Sequence, residues 1–299
     1  MFEKRTDLAL EIHELHGEES GIIVDEREAD GFLISTATVK SGEGERVSGK
    51  KAGKYITVEI GKIWQLDRTA FERASKVIAA EIEALLPRKS GCVLVAGLGN
   101  EEITPDSLGP RVVKSLLVTR HIGTLDPSLF ENAGFGCVAA ISPGVLGKTG
   151  IESAEIIKSI CRDIKPACVI VIDSLASRRL QRLASTVQIS DVGISPGSGV
   201  LNKRAELNES LLGAPVISLG VPTVVDAATL AYDLLEEHSG ENGEFASAVE
   251  KILAGAGRDM FVTPKENDAI ARETSKLIAM AINIALHKME ISEINEYLI

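Results

Sequence analysis

Positive charge is in short supply in this chain. Thirty-two Lys and Arg stand against 43 Asp and Glu, a formal net charge of −11 over 299 residues, which opposes wholesale attraction to nucleic acid phosphates or anionic membranes. No direct nucleic acid binding is expected. Cysteine is sparse as well. Cys92, Cys137, Cys161 and Cys168 form no C-x-x-C pair, so neither a disulfide framework nor a zinc site is implied, and buried free thiols are the simplest reading. No stretch reaches the ~18 uninterrupted apolar residues of a membrane span. The first eight residues, MFEKRTDL, mix in charge and lack the apolar core of a secretory signal. These absences predict a cytoplasmic protein with no membrane partner and no metal or other cofactor. No repeat, low-complexity segment or long linker divides the chain. With 44% hydrophobic and 25% charged residues, the composition is that of a folded globular protein.

Residues 31–40 and 54–61 alternate as strands around the polar, glycine-rich loop SGEGERVSGKKAG. They predict an antiparallel flap or sheet edge. Apolar residues then recur at helical spacing from Leu66 to Leu86, ahead of Pro87. Beyond this the pattern changes to short continuous apolar runs, 92–98, 137–141, 167–172, 186–189 and 215–219, with helices expected from about Pro105, Ile151 and Thr223. Strands apolar on both faces that alternate with helices predict an α/β fold, a doubly wound, mainly parallel sheet flanked by helices. The C-terminal segment reads as helical over 243–256 and 265–288, with Thr263-Pro264 as a cap and start.

In open parallel sheets the active site lies beyond the carboxyl ends of the strands. Three acids follow apolar runs: Asp106, Asp173 and Asp226. Thr104-Pro105 reads as N-cap and first helical position, so Asp106 falls in the first turn of a helix, where complementing the helix dipole is the structural alternative. Asp173 directly ends the run Val169–Ile172, and its alternative role is N-cap of a helix starting at Ser174-Leu175. Asp226 is expected a turn inside the helix from Thr223. Two acids on neighbouring strand crests cannot both ionise easily, and such a pair holds a shared proton with which it can take a proton from water and return one to a leaving group.

Competing motifs fail on particular atoms. Gly193-Ile194-Ser195-Pro196-Gly197 matches G-x-S-x-G, but Pro196 lacks the N–H that the oxyanion hole requires. Gly97-Leu98-Gly99-Asn100 lacks the third glycine and the downstream acid of a dinucleotide fingerprint. None of the five histidines immediately follows an apolar strand. The turns Ile141-Ser142-Pro143-Gly144 and Ile194-Ser195-Pro196-Gly197 are candidate groove linings, with tight turns as the alternative. Lys203 and Arg204 follow the second turn, as a solvated basic pair or as recognition of an acidic side chain.

The run Gly97-Leu98-Gly99-Asn100 with Thr104-Pro105-Asp106-Ser107-Leu108-Gly109-Pro110-Arg111 closely resembles the germination protease of spore-forming bacteria, as do Ile172-Asp173-Ser174-Leu175-Ala176, Pro196-Gly197-Ser198-Gly199 and Gly220-Val221-Pro222-Thr223. The resemblance implies an aspartic-type endopeptidase made as a zymogen in the forespore, active in the spore core and assembled as a homotetramer. Its substrates would be the small acid-soluble spore proteins. The family's two essential aspartates match Asp106 and Asp173, and Ser198, Lys203 and Arg204 become candidates for substrate binding. The hydrogenase-maturation peptidases resemble it distantly, with acids matching the same two positions. Their nickel-binding histidine has no counterpart here, and a metal-dependent peptidase using the same acids is the alternative reading, beside a non-catalytic α/β binding protein. The family cuts after an acid and before a large apolar residue and alanine. Asp7-Leu8-Ala9-Leu10-Glu11 fits that pattern, which makes residues 1–7 a candidate propeptide and 8–299 a single α/β peptidase domain.

Overall fold

The computed structural model describes residues 5–17, 21–89, 91–197, 204–239 and 260–298. Its centre is a nine-stranded sheet in the order β1-β2-β3-β7-β8-β6-β4-β5. The strands are β1 (Ile22–Ala29), β2 (Phe32–Val39), β3 (Gly53–Glu59), β4 (Val93–Gly97), β5 (Val138–Ile141), β6 (Cys168–Ser177), β7 (Thr186–Ser190), β8 (Val216–Asp226) and β9 (Phe261–Val262), the last pairing with β8. Strands β5, β4, β6 and β8 run parallel, as the doubly apolar runs predict. Of the two forms expected for the amino-terminal strands, an antiparallel flap or a sheet edge, the structure has the sheet edge. These strands continue the same sheet through the antiparallel pairs β3–β7 and β7–β8.

Side chains along the central strand β6 serve two layers by their alternation. Cys168, Ile170 and Ile172 enter the core beneath the helices Arg68–Leu85 and Asn267–His287, with Ile78, Ile82, Leu277, Ile278 and Ala281. Val169 and Val171 pack on the other face against Ile157 and Cys161 of the helix Ser153–Ile164. Each fully buried Leu or Ile contributes about 1.5–3 kcal/mol. The C-terminal helix is therefore part of the core, and Asn283 ties it down by accepting from Leu117 N at 3.0 Å and donating to Ser115 O at 3.2 Å.

Several local expectations change. Strand β1 is not evident from the sequence because Asp25, Glu26, Arg27 and Glu28 interrupt its alternation. Its hairpin turn, Asp30-Gly31, has both residues at positive φ (49° and 80°), the geometry favoured by an Asp-Gly type I′ turn. The loop between β2 and β3 holds a short helix, Glu43–Ser48. Strands β6 and β8 both outrun their apolar stretches, so no helix begins at Ser174 or at Thr223. Asp226 is accordingly the last residue of β8 and precedes the helix Ala227–Ser239. The last long helix starts at Asn267 behind Glu266, not at Pro264. The helix expected over 243–256 lies outside the described residues. No helix among the described residues is long and apolar enough to cross a membrane.

Candidate active site

Strand β4 stops at Gly97, opposite Ile172 of β6, whereas β6 and β8 continue side by side. The unequal lengths open a crevice on one flank of β6, and Asp173 is the first residue to emerge there. The strand runs through it, so the helix-cap alternative for Asp173 falls. Asp173 is 5% exposed, and its Oδ1 accepts the N–H of Ser174 at 2.9 Å. Burial first, then the negative charges of Asp106 and Asp7, hold its carboxyl well above the usual carboxylate range.

Asp106 reaches the same crevice from a 3₁₀ turn, Thr104–Asp106, that precedes the helix Leu108–Lys114. Thr104 is not its N-cap. The cap position is Ile103, and the Thr104 hydroxyl bonds Asp268 instead. Two other contacts fix the turn: Thr223 Oγ1 donates to Pro105 O at 2.7 Å, and Asn100 N donates to Asp106 Oδ2 at 2.8 Å. Gly99 is required by both space and conformation. Its φ is +112°, and a Cβ there would lie 2.0 Å from Asp106 O. Desolvation raises the Asp106 pKa, while the Asn100 N–H and the positive charge of Arg204 pull it back.

A third acid converges on the pair. Asp7, Asp106, Asp173, Arg204, Pro196 and Thr223 are among the residues lining one cleft of about 430 Å³. Asp7 is 8% exposed, and Leu8, across the bond expected to be cut, is 0% exposed. The Asp7 carboxylate accepts Ala176 N at 2.9 Å, and Asp7 N donates to Ala176 O at 2.8 Å. Gln188 of β7 spans the Asp7-Leu8 bond: its Nε2 donates to Asp7 O at 3.3 Å and its Oε1 accepts Ala9 N at 3.0 Å. The helix Ala9–His16 that follows is anchored by Glu11, 0% exposed, which accepts Arg178 N at 2.7 Å and Arg179 N at 3.0 Å.

Two cationic side chains share clefts with Asp7. Arg204 lines the cleft and also a neighbouring one that contains Asp7, Lys50 and Gln188. Desolvation pushes the Lys50 ammonium pKa down and Asp7 opposes the shift. Sequence reasoning missed Lys50 because it sits in the polar loop before β3, where a lysine is ordinarily solvated, and missed Gln188 because a lone glutamine in an apolar strand carries no motif. Ser198 and Lys203 lie outside the described residues. Asp226 is not among the residues lining the main cleft. Its Oδ1 caps the following helix at Thr229 N, 2.8 Å away, and its Oδ2 accepts Arg5 Nη1 at 3.0 Å. Cys92, Cys137, Cys161 and Cys168 are free thiols. Among the described residues, no three His, Cys, Asp or Glu side chains cluster so as to hold a metal ion.

Residues 3–244 match the family model described as germination protease. The chain is 43% identical over 322 residues to the germination protease of Clostridium acetobutylicum, covering 98% of both chains. It is also 43% identical over 304 residues to that of Caldanaerobacter subterraneus subsp. tengcongensis, covering 94% of each. A solved [NiFe] hydrogenase maturation protease, HycI from Thermococcus kodakarensis, aligns with a TM-score of 0.36 at 15% identity, covering 68% of this chain and 98% of that one. The chain belongs to the germination protease family, and it is a spore protease.

Proposed function

We propose that this member of the germination protease family is an aspartic-type endopeptidase in which Asp106 and Asp173 share one proton and activate water. The observation that carries the reading is the convergence of Asp106, Asp173 and Asp7 in one cleft, with the Asp173 carboxyl held well above the usual range by burial and by the other two acids. Asp106, beside the Asn100 N–H and the Arg204 charge, is the member suited to be ionised. It takes a proton from water as the water oxygen adds to the scissile carbonyl. Asp173, protonated, supplies a proton, and the C–N bond breaks as the leaving amine takes one up.

The cleavage preference follows from the same cleft. Lys50 and Arg204, which line one cleft with Asp7, suit an acidic residue on the amino-terminal side of the cut bond. Asp7 occupies that subsite in cis, so residues 1–7 act as a propeptide removed by the protein itself and 8–299 as the peptidase domain. Gln188, which bonds the Asp7 carbonyl, is positioned to steady the oxygen as it gains charge. The substrates in trans are small acid-soluble spore proteins degraded at germination in the spore core, and the assembly is a homotetramer.

Incubation of the full chain under activating conditions, followed by intact-mass measurement, tests the reading, together with digestion of a purified small acid-soluble spore protein. A species beginning at Leu8 and cuts after acidic residues are expected. Persistence of the full-length mass together with an uncut substrate would sink the proposal.

A further inference from the structure

We propose that Asp226 forms an acidic subsite that takes a basic side chain two residues ahead of the acid after which the protein cuts. The inference rests on reading Asp7-Leu8 as a bond cleaved in cis. In that reading Arg5, Thr6 and Asp7 lie where the last three residues before the cut of a substrate would lie. Thr6 turns toward its own following segment, its Oγ1 accepting Leu8 N at 3.0 Å and bonding Glu11. Arg5 and Asp7 turn toward the sheet crest, Asp7 onto Ala176 and Arg5 onto the end of β8.

Arg5 meets both Asp226 and Thr229. Its Nη1 donates to Asp226 Oδ2 at 3.0 Å, and its backbone N donates to Thr229 Oγ1 at 3.3 Å. The side chains of the ion pair are 14% and 2% exposed, well below the exposure at which such pairs contribute little. Capping the following helix does not account for Asp226. One oxygen, Oδ1, performs it by accepting Thr229 N at 2.8 Å and Thr229 Oγ1 at 2.7 Å, and Asn or Ser would cap as well without a charge. A buried carboxylate is costly unless a cation meets it. The second oxygen therefore specifies a cation, and Arg5 supplies it while the leader is attached.

Location ties this oxygen to the cleft. Asp226 pairs in register with Phe261 of β9, and Phe261, Thr223 and Val224 line the cleft that holds Asp7. When residues 1–7 depart, the Arg5 guanidinium leaves with them. A substrate carrying Lys or Arg at the same spacing from its acid restores the pair, whereas one carrying an acid there sets two carboxylates against each other. The enzyme is thus matched to substrates in which a basic residue precedes the acid by two positions, a sequence its own leader presents as Arg5-Thr6-Asp7.

The test offers the self-processed protein peptides with Arg, Gln or Glu two residues ahead of an acid–Leu–Ala–x–Glu site, and measures kcat/KM. Arg is expected to exceed Gln by about tenfold, or ~1.4 kcal/mol, and Glu to fall below Gln. In Asp226→Asn, which keeps an oxygen for Thr229 and loses the charge, the Arg to Gln ratio falls to about one. Equal kcat/KM for the Arg and Gln peptides in the unmodified protein, both cut after the acid, overturns the subsite and leaves the endopeptidase reading standing. No cut after the acid in any peptide overturns that reading and the subsite with it. The peptide series uses the unmodified protein, so its outcome does not depend on whether Asp226→Asn folds.

Discussion

Asp7 and Ala176 exchange two hydrogen bonds: Asp7 N donates to Ala176 O at 2.8 Å, and Ala176 N donates to the Asp7 carboxylate at 2.9 Å. Ala176 lies three residues beyond Asp173 on the same strand. The proposed leader is thus tied to the strand that carries one of the proposed catalytic acids.

Replacing Asp7 by Asn turns a charge-assisted bond into a neutral one and removes the attraction of Lys50. The expected outcome is self-processing slowed about tenfold, corresponding to ~1.4 kcal/mol. Intact mass against time measures it, and an unchanged rate would remove Asp7 from the recognition of the cut site.

Asp106→Asn and Asp173→Asn should each lower cleavage by several orders of magnitude, since neither variant can hold the shared proton. For Asp173 the stability effect has the opposite sign. Its folded pKa is raised, so the folded state binds that proton more tightly than the unfolded state, and stability is lost as pH climbs from the ordinary carboxylate range toward the raised value. Asp173→Asn escapes this loss. Thermal unfolding should therefore show the variant gaining on the parent as pH rises through that window, and parallel curves would contradict the buried, strained carboxylate.

Activity should follow a bell. The acid limb reports protonation of Asp106, displaced upward from its ordinary value by burial, and the alkaline limb reports loss of the Asp173 proton. A pH profile of kcat/KM on the self-processed protein checks it. A rate that stays flat through the acid and neutral range would dismiss the shared proton.

Thr223 holds the 3₁₀ turn under Asp106 through Pro105 O. Thr223→Val keeps the shape and loses the bond, leaving that carbonyl without its donor. A fall in kcat of about tenfold with little change in KM is expected from misplacement of a reacting group, and Thr223→Ser should recover most of it. Equal losses in Val and Ser variants would mean that packing, not the hydrogen bond, is what matters at this position.

Glu11 is fully buried and accepts two backbone N–H groups, from Arg178 and Arg179, with Arg182 at 3.4 Å. Glu11→Ala should destabilise the chain by ~3–5 kcal/mol, the usual consequence of breaking a buried charged network. Chemical denaturation measures this directly.

Much of this architecture is written in local pattern. The apolar runs beginning at Cys92, Cys137 and Ala167 identify the parallel strands because burial on both faces leaves no room for alternation. The helical spacing between Leu66 and Leu86 likewise marks the helix Arg68–Leu85, whose residues Ala74, Ile78 and Ile82 form its buried stripe. The continuation of β6 through Asp173 and of β8 to Asp226 is not legible. Ser174, Pro222 and Thr223 give no clear strand pattern by themselves, and they stay extended because the two strands pair with each other, with a register shift at Leu175/Ala176. Propensity yields there to tertiary context.

The sequence alone determined that Asp106 and Asp173 each come after an apolar run that forms a parallel strand, and that Asp7-Leu8-Ala9 has the form of a cut site. Only the tertiary structure decided that these three acids occupy one cleft and that Lys50, Gln188 and Asp226 meet Arg5, Asp7 and Ala9 from loops and strands far away in the chain. The reason is physical. A carboxylate's neighbours, and hence its proton affinity, are set by distances through space between segments, and local pattern carries the strands but not the distances between their ends.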